Sequence, residues 1–202
     1  LEERLTKKEF KDEFGIVVTD AQLNELKKKL KNLTNKVGSP SPYYAVIKLD
    51  GDNMGKWLSG VQLPEIRNVY NSQVWEKLPV DFKKGIQKFS SKKMLTPAIH
   101  ASISNALRNY SLELVRHIVE EEHLGKLVYA GGDDVLAFAN LQDLIPIMKK
   151  LRAAFSGHVR FEEGNVVVDW SNNTGFVEKD GRYLLTMGPK ASASCGIVIA
   201  HC

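Results

Sequence analysis

Residues 127 to 138 contain the acidic residues of this chain that are best placed for chemistry. Two apolar runs, each typical of a β-strand, flank Gly131, Gly132, Asp133 and Asp134. Paired glycines between two strands predict a tight hairpin, and they also let a ligand approach the backbone closely. The stretch therefore predicts a hairpin that carries two carboxylates at its tip. The alternative is an ordinary solvated turn, because aspartate and glycine are common turn residues.

A second acidic stretch follows the apolar, strand-like residues 43 to 50. Asp50 ends this run, Asp52 follows two positions later, and Met54 can open a helix. If the two strands are neighbours in one sheet, the carboxylates of both stretches converge. Clustered like charges raise one another's pKa or recruit a cation, and Mg²⁺ favours oxygen ligands together with substrate phosphates. We therefore predict a Mg²⁺ site beneath a nucleotide triphosphate.

Composition limits the classes of protein to which the chain can belong. It has 202 residues, of which 43% are hydrophobic, and this is enough for a sizeable core. Its formal charge of +4 does not by itself indicate nucleic acid. No apolar run approaches the ~20 residues of a membrane span, and no secretory signal precedes the first charged residues. Cys195 and Cys202 have no metal-ligand spacing. We expect a cytoplasmic protein in a reducing compartment, without a membrane partner.

The chain divides at a segment rich in proline and serine. Residues 38 to 42, Gly-Ser-Pro-Ser-Pro, predict a linker, because proline interrupts both helices and strand ladders. Residues 1 to 37 predict a helical appendage from an adjoining domain, and residues 43 to 202 form the main domain. Strand-like runs at 166–170 and 183–187, with turn signals at Asn172-Asn173 and Asp180-Gly181, predict a β-rich insertion near residues 157 to 187. The last strand-like run reaches the end of the chain with no helix to cover it, so we expect a C-terminal truncation.

The order of elements in the main domain is strand, helical region, hairpin, helix and strand. Within the helical region, Thr96-Pro97 predicts the start of a long helix, with Gly125 as its C-cap. This order predicts an α+β, ferredoxin-like fold, with an antiparallel sheet and helices on one face.

Three ordered segments, at residues 48–60, 127–137 and 187–201, carry a family resemblance. Together they resemble the palm domain of nucleotide cyclases and GGDEF proteins. More narrowly, they are similar to the second palm domain of the large subunit of type III-B CRISPR effectors, the Cmr complex. The resemblance covers residues 43 to 202, and three segments in the expected order are far more specific than a lone Gly-Gly-Asp-Asp.

The resemblance implies an activity and partners. The family synthesises cyclic oligoadenylate from ATP when target RNA is bound, as part of antiviral defence. Its members act with other effector-complex subunits and, through the complex, with guide and target RNA. The implied enzyme is a nucleotidyltransferase, and the sequence leaves open whether an isolated fragment of it is active. No His-Asp dipeptide of the family's nuclease domain occurs in this chain.

In nucleotidyl transfer, a ribose 3′-hydroxyl attacks an α-phosphate and pyrophosphate leaves. For this reaction we assign catalytic roles to Asp50, Asp133 and Asp134, and expect Asp50 and Asp133 to reach one metal. The expected ligands of Mg²⁺ or Mn²⁺ are Asp50, Asp52, Asp133 and Asp134. The expected nucleotide contacts are Gly51, Asn53, Met54, Gly55, Gly131, Gly132, Lys190, Ser192 and Ser194.

Two other functions are compatible with the same residues. The domain can be a scaffold that binds a nucleotide without turning it over. It can also be a diguanylate cyclase, although those enzymes usually carry Glu-Phe where this chain has Asp134-Val135. An assay for pyrophosphate release separates the scaffold from the enzyme.

Overall fold

The computed structural model describes residues 5–38, 41–89 and 95–201, which form two compact units. The boundary lies between Pro42 and Tyr43. The predicted linker at residues 38 to 42 includes positions 39 and 40, which lie outside the described residues.

The first unit contains two helices, α1 (Lys7–Phe14) and α2 (Asp20–Val37). Each helix begins with a capping box, in which a threonine at the N-cap and a side chain three residues later exchange hydrogen bonds with each other's backbone. The caps are Thr6 and Thr19. These caps explain where each helix begins, because they satisfy backbone N–H groups that have no acceptor within the helix.

The second unit is built on β-strands that all pair in antiparallel fashion. They are β1 (Tyr43–Gly51), β2 (Gly125–Gly131), β3 (Asp134–Asn140), β4 (Val159–Glu162), β5 (Asn165–Val168), β6 (Phe176–Lys179), β7 (Arg182–Leu185) and β8 (Ala193–His201). The main sheet has the order β2-β3-β1-β8, and β4-β5 and β6-β7 form two separate hairpins. The order of the main sheet confirms the predicted ferredoxin-like fold.

The helices of the second unit lie between β1 and β2 and after β3. They are α3 (Met54–Leu58), α4 (Ser72–Lys77), α5 (Val80–Phe89), α6 (Pro97–Asn109) and α7 (Leu144–Ser156). Two π-helical stretches, Tyr110–Val115 and His117–Glu121, continue α6. In the described part of the chain, no helix is both long and apolar enough to cross a membrane.

One face of the main sheet is buried and the other is open. Every second residue of β1 from Ala45 to Leu49 is fully buried, whereas Lys48 and Asp50 are exposed. The buried face joins one hydrophobic core with α6, its π-helical continuation and α7. The rings of Tyr110 and Phe155, for example, meet edge to face with their centroids 5.2 Å apart. The helices therefore cover one face, and the end of β1 carries its acidic side chain on the other.

Gly125 has a different role from the predicted one. It begins β2, and the helical segment before it ends at Glu121. A Cβ at Gly125 would lie 2.7 Å from the carbonyl oxygen of Val119. The glycine is needed because the strand passes close to the helix backbone, and not because a helix ends in the left-handed conformation.

The β-rich insertion forms two hairpins, and its strand boundaries differ from the expected ones. The sequence indicated strands at 166–170 and 183–187, and a turn at Asp180-Gly181. The structure confirms that turn but adds another at Glu163-Gly164, where both residues have positive φ. Short strands joined by two-residue turns explain why the pattern of residues alone placed the boundaries too far along the chain.

Candidate active site

Strand register brings the acidic residues of the two stretches into one row across the sheet. Asp50 is paired with Ser194 of β8, and Asp134 is paired with Gly131 of β2. The β1–β3 register, continued by one residue beyond its last pair, sets Asp50 opposite Asp134. The open face of the sheet therefore carries two neighbouring carboxylates between a serine and a glycine. Directly opposed residues of antiparallel strands are close enough to interact through their side chains.

The carboxylates of Asp50 and Asp134 interact directly. Desolvation raises the pKa of Asp50, and a side-chain hydrogen bond with Asp134 and the charges of Asp134 and Asp133 raise it further; only Lys48 opposes them. A hydrogen bond between two carboxyl groups requires a proton on one of them. When both groups are ionised, this pair has no donor and becomes a site that favours a positive charge.

Asp134 supplies a second indication of a cation. Its Oδ1 atom is buried, and it has no hydrogen-bond partner among the described residues. A buried carboxylate oxygen without a donor is costly unless a cation or a proton satisfies it. The same part of the chain contains no group of three or more acidic, histidine or cysteine side chains arranged as a complete metal cage. The pair therefore fits a cation such as Mg²⁺, which is often held by one or two carboxylates together with substrate phosphates.

Asp133 lies in the turn beside this pair. Gly132 before it has φ +66°, and Asp134 after it already belongs to β3. Asp133 raises the pKa of Asp50 through its charge alone, whereas Asp134 raises it through both its side-chain contact and its charge. The hairpin is confirmed, but the carboxylate opposite Asp50 is the second of the two aspartates. A metal shared by Asp50 and Asp133 stays a prediction.

Gly51 holds the end of β1 close to its neighbours. It is buried, and a Cβ there would lie 2.8 Å from the Cβ of Asp133, 2.9 Å from Cζ of Phe155 and 3.1 Å from Cγ of Met54. Only glycine lets the strand, the hairpin turn and α7 approach so closely at this point. The residue expected to contact the nucleotide therefore also has a clear packing role.

Asp52 turns towards β8. Its two carboxylate oxygens accept hydrogen bonds from the hydroxyl groups of Ser192 and Ser194, both at 2.6 Å, and its N–H donates to the Ser192 carbonyl at 2.9 Å. These serine bonds lower the pKa of Asp52, the charge of Arg152 lowers it further, and desolvation opposes both effects. Asp52, an expected metal ligand, is therefore bonded to two serines that were expected to contact the nucleotide.

We predict that Asp52→Ala lowers the free energy of unfolding at pH 7 by about 1–2 kcal/mol, because two charge-assisted hydrogen bonds are lost. A lowered pKa means that the carboxylate of Asp52 stabilises the fold above the ordinary aspartate pKa, and this contribution disappears as pH falls through its folded value. Urea denaturation of both proteins from pH 7 to acid measures the difference. It should shrink on acidification, and an equal difference at every pH contradicts the prediction. Asp52→Asn is the control and should lose less.

The remaining expected nucleotide contacts lie around this row. Asn53 adopts the left-handed conformation, with φ 58°, immediately before α3. Met54 and Gly55 form the first turn of that helix, whose N–H groups have no acceptor within the helix. Lys190 is exposed in the loop before β8.

Tyr129 is a residue that sequence reasoning missed. Its hydroxyl group lies where a Cβ of Gly131 would be, so its ring covers the glycine on the open face of the sheet. The ring is 54% exposed and is therefore accessible to a ligand. The signal was present in the sequence, because residues two apart in a strand share one face.

Comparison with known proteins identifies the family. The sequence profile described as Cas10/Cmr2, second palm domain, matches residues 43–202. The chain is 32% identical over 160 residues to the CRISPR system Cmr subunit Cmr2 of Pyrococcus furiosus, which covers 79% of this chain and 17% of that protein. It is 33% identical over 111 residues to the CRISPR system CMR subunit Cmr2 of Saccharolobus solfataricus, which covers 54% of this chain and 10% of that protein.

Solved structures with the same fold agree with this result. A cryo-EM structure of type III-B Cmr-beta in the apo state matches 87% of this chain and 24% of its own, with 22% identity and a TM-score of 0.61. The structure of type III-B Cmr-beta bound to cognate target RNA matches 96% of this chain and 26% of its own, with 21% identity and a TM-score of 0.60. The chain spans about a sixth or less of its curated relatives. It belongs to the Cas10/Cmr2 family of type III-B CRISPR systems, and residues 43–202 form the second palm domain.

Proposed function

We propose that this palm domain binds ATP through a divalent cation and takes part in nucleotidyl transfer within a type III-B effector. The product proposed is cyclic oligoadenylate, made in antiviral defence. One observation carries the proposal: Asp50 and the buried, unsatisfied oxygen of Asp134 lie side by side on the open face of the sheet. That arrangement places two carboxylates at one point, and the buried oxygen of Asp134 has no hydrogen-bond donor among the described residues.

Asp50 and Asp134 would hold the cation, with Asp133 adding negative charge beside them. When bound, Mg²⁺ or Mn²⁺ supplies Lewis-acid stabilisation of charge on the phosphates. The contribution of the chain is to fix two carboxylates on adjacent, hydrogen-bonded strands, so that little reorganisation accompanies binding. Rigid placement on strands is more accurate than placement on loops.

The residues around the pair suit a nucleotide. Gly132 leaves room for substrate against the hairpin backbone, whereas the Tyr129 ring covers Gly131. The free N–H groups at the start of α3 are donors for phosphate oxygens, and Lys190 adds a positive charge near β8. Ser192 and Ser194 each donate their hydroxyl proton to Asp52, so that each oxygen can act towards a ligand only as an acceptor.

Partners of the chain follow from its relatives. One structural relative is described as bound to cognate target RNA, and the curated relatives are subunits of the Cmr system. We infer that this palm works with other effector subunits and meets guide and target RNA through that assembly.

A second candidate function is a nucleotide-binding scaffold without turnover. The same two carboxylates are compatible with it, because they can hold a cation against the phosphates of ATP whether or not transfer follows. In that case ATP and the cation bind, but an active assembly releases no pyrophosphate that depends on Asp134.

A calorimetric titration of the chain with Mn²⁺ and ATP tests the binding step. ATP should bind only with the cation, and Asp134→Asn should weaken Mn²⁺–ATP binding by about 10- to 100-fold, because the neutral amide removes one of the two charges. Glu65→Gln removes an exposed charge elsewhere and should have no effect. The proposal is contradicted if Asp134→Asn binds Mn²⁺–ATP as tightly as the wild type. It is also contradicted if ATP binds equally well after a chelator has removed the cation.

A further inference from the structure

The two hairpins of the insertion enclose a groove that the nucleotide site does not use. The cavity has a volume of about 550 Å³ and is open to solvent. Its aromatic lining comes from Phe161, Phe176 and Tyr183, and its charged lining from Arg160, Glu178 and Asp180.

Aromatic rings in this groove are exposed to an unusual degree. Tyr183 is 72% exposed and Phe176 is 45% exposed. The β6–β7 register places Glu178 directly opposite Tyr183, and Phe176 lies two residues before Glu178 on the same face. The opposite face of this hairpin, with Val177 and Leu184, is buried. The exposed face therefore presents two rings with a carboxylate between them.

The acidic groups of the groove are not used within the described part of the chain. The carboxylates of Glu178 and Asp180 have no ion-pair or hydrogen-bond partner there. Arg160 does not neutralise them, because its guanidinium pairs with Glu162 at 2.8 Å and with Asp169 at 3.7 Å. The rim of the groove thus keeps two negative charges beside exposed rings, in a chain whose overall formal charge is +4.

Carboxylates beside aromatic faces recognise cations. A guanidinium or ammonium group is attracted to the face of a ring and pairs with a carboxylate at the same time. The insertion already contains one such contact, since the Nζ atom of Lys179 lies 5.8 Å from the centroid of the Phe161 ring. The acidic rim repels phosphate, which disfavours a nucleic acid as the occupant.

We propose that this groove, lined by Phe176, Glu178, Asp180 and Tyr183, is a docking site for an arginine or lysine side chain from a basic segment of a partner protein. The rings provide the platform and the two carboxylates provide the charge. Specificity comes from the charge, because a neutral side chain of the same shape leaves both carboxylates unpaired.

The test uses the whole chain and a defined probe, an acetylated and amidated peptide of alternating arginine and glycine. Two-dimensional ¹H–¹⁵N spectra should show saturable shifts of the amides of residues 176–183. The same peptide with citrulline in place of arginine should cause none. Glu178→Gln/Asp180→Asn should weaken binding of the arginine peptide about tenfold, and Tyr183→Ala should weaken it by a similar factor.

Both variants change exposed side chains, and asparagine suits the left-handed conformation of Asp180 (φ 51°), so the spectra should show folded proteins. The matched control is Glu65→Gln/Glu76→Gln, which removes two exposed carboxylates outside the groove. It should bind like the wild type. The proposal is overturned if the citrulline peptide binds equally, if Glu178→Gln/Asp180→Asn binds as tightly as the wild type, or if the arginine peptide shifts other residues or none. It is also overturned if a ten-nucleotide uridine RNA, and not the peptide, shifts residues 176–183.

Discussion

Replacing Asp133 and Asp134 together by alanine should lower pyrophosphate release in an assembled effector by roughly 1000-fold, while the chain remains folded. Both carboxylates leave the neighbourhood of Asp50, and only one charge remains there for a cation. The alanine at position 133 keeps the Cβ that contacts the Gly51 region, so the packing of the turn is conserved. Activity and stability should therefore respond separately.

The stability of the same variant reports on the charge cluster itself. Without a cation, removal of repulsion around Asp50 should leave the free energy of unfolding unchanged or raise it by up to about 1 kcal/mol. With Mn²⁺ and ATP present, the wild type should gain stability by mass action and the variant should not. Thermal melts with and without Mn²⁺–ATP measure both effects.

The matched control is Glu65→Gln/Glu76→Gln, which lowers the negative charge by the same amount at exposed positions away from the hairpin. It should keep wild-type turnover and melting behaviour. Wild-type turnover of the Asp133→Ala/Asp134→Ala variant would disprove a catalytic role for both residues. Unfolding of that variant would instead show that the two aspartates are structural.

Gly51→Ala should lower the free energy of unfolding by about 1–3 kcal/mol. The added methyl group would lie 2.8 Å from the Cβ of Asp133 and 2.9 Å from the Phe155 ring, and neither the turn nor the buried ring can move without disturbing the core. A shift of the turn also moves the carboxylates beside Asp50. Mn²⁺–ATP binding should therefore weaken together with stability.

Gly55→Ala is the matched comparison, because a Cβ at Gly55 meets no other atom within 4 Å. Alanine in a helix is favoured over glycine, so this variant should keep its stability or gain up to about 1 kcal/mol. Chemical denaturation of the two variants beside the wild type gives the comparison. If Gly51→Ala is as stable as Gly55→Ala, the close approach around Gly51 is not a constraint on this fold.

The amino-acid sequence by itself determined the elements that carry the site. Strands of alternating or apolar residues carry Asp50 near the end of β1 and Asp134 at the start of β3, and Gly132 gives the turn between β2 and β3 its positive φ. These are local signals, because a turn of two residues and the adjoining strands depend on nearby sequence. The order of the elements then predicted the ferredoxin-like sheet, since few topologies accommodate that order.

Contacts between distant parts of the chain were decided only by the tertiary structure. Strand register, and not spacing, set Asp134 rather than Asp133 opposite Asp50. The hydrogen bonds of Asp52 reach serines 140 and 142 residues away. A register that shifts by one residue would exchange the faces of every side chain, so the register of distant strands depends on which face the rest of the fold buries.

Gly125 and the insertion also separate what local sequence predicts from what only the folded chain decides. Glycine after a helical run is a common C-cap, so the sequence favoured that role for Gly125. Its true constraint is the carbonyl oxygen of Val119, which only the folded chain brings within 2.7 Å of a Cβ. In the insertion, the turn at Asp180-Gly181 was visible in the sequence. The groove that Glu178 and Tyr183 share exists only because two hairpins pack together, and packing depends on the whole surface of each hairpin.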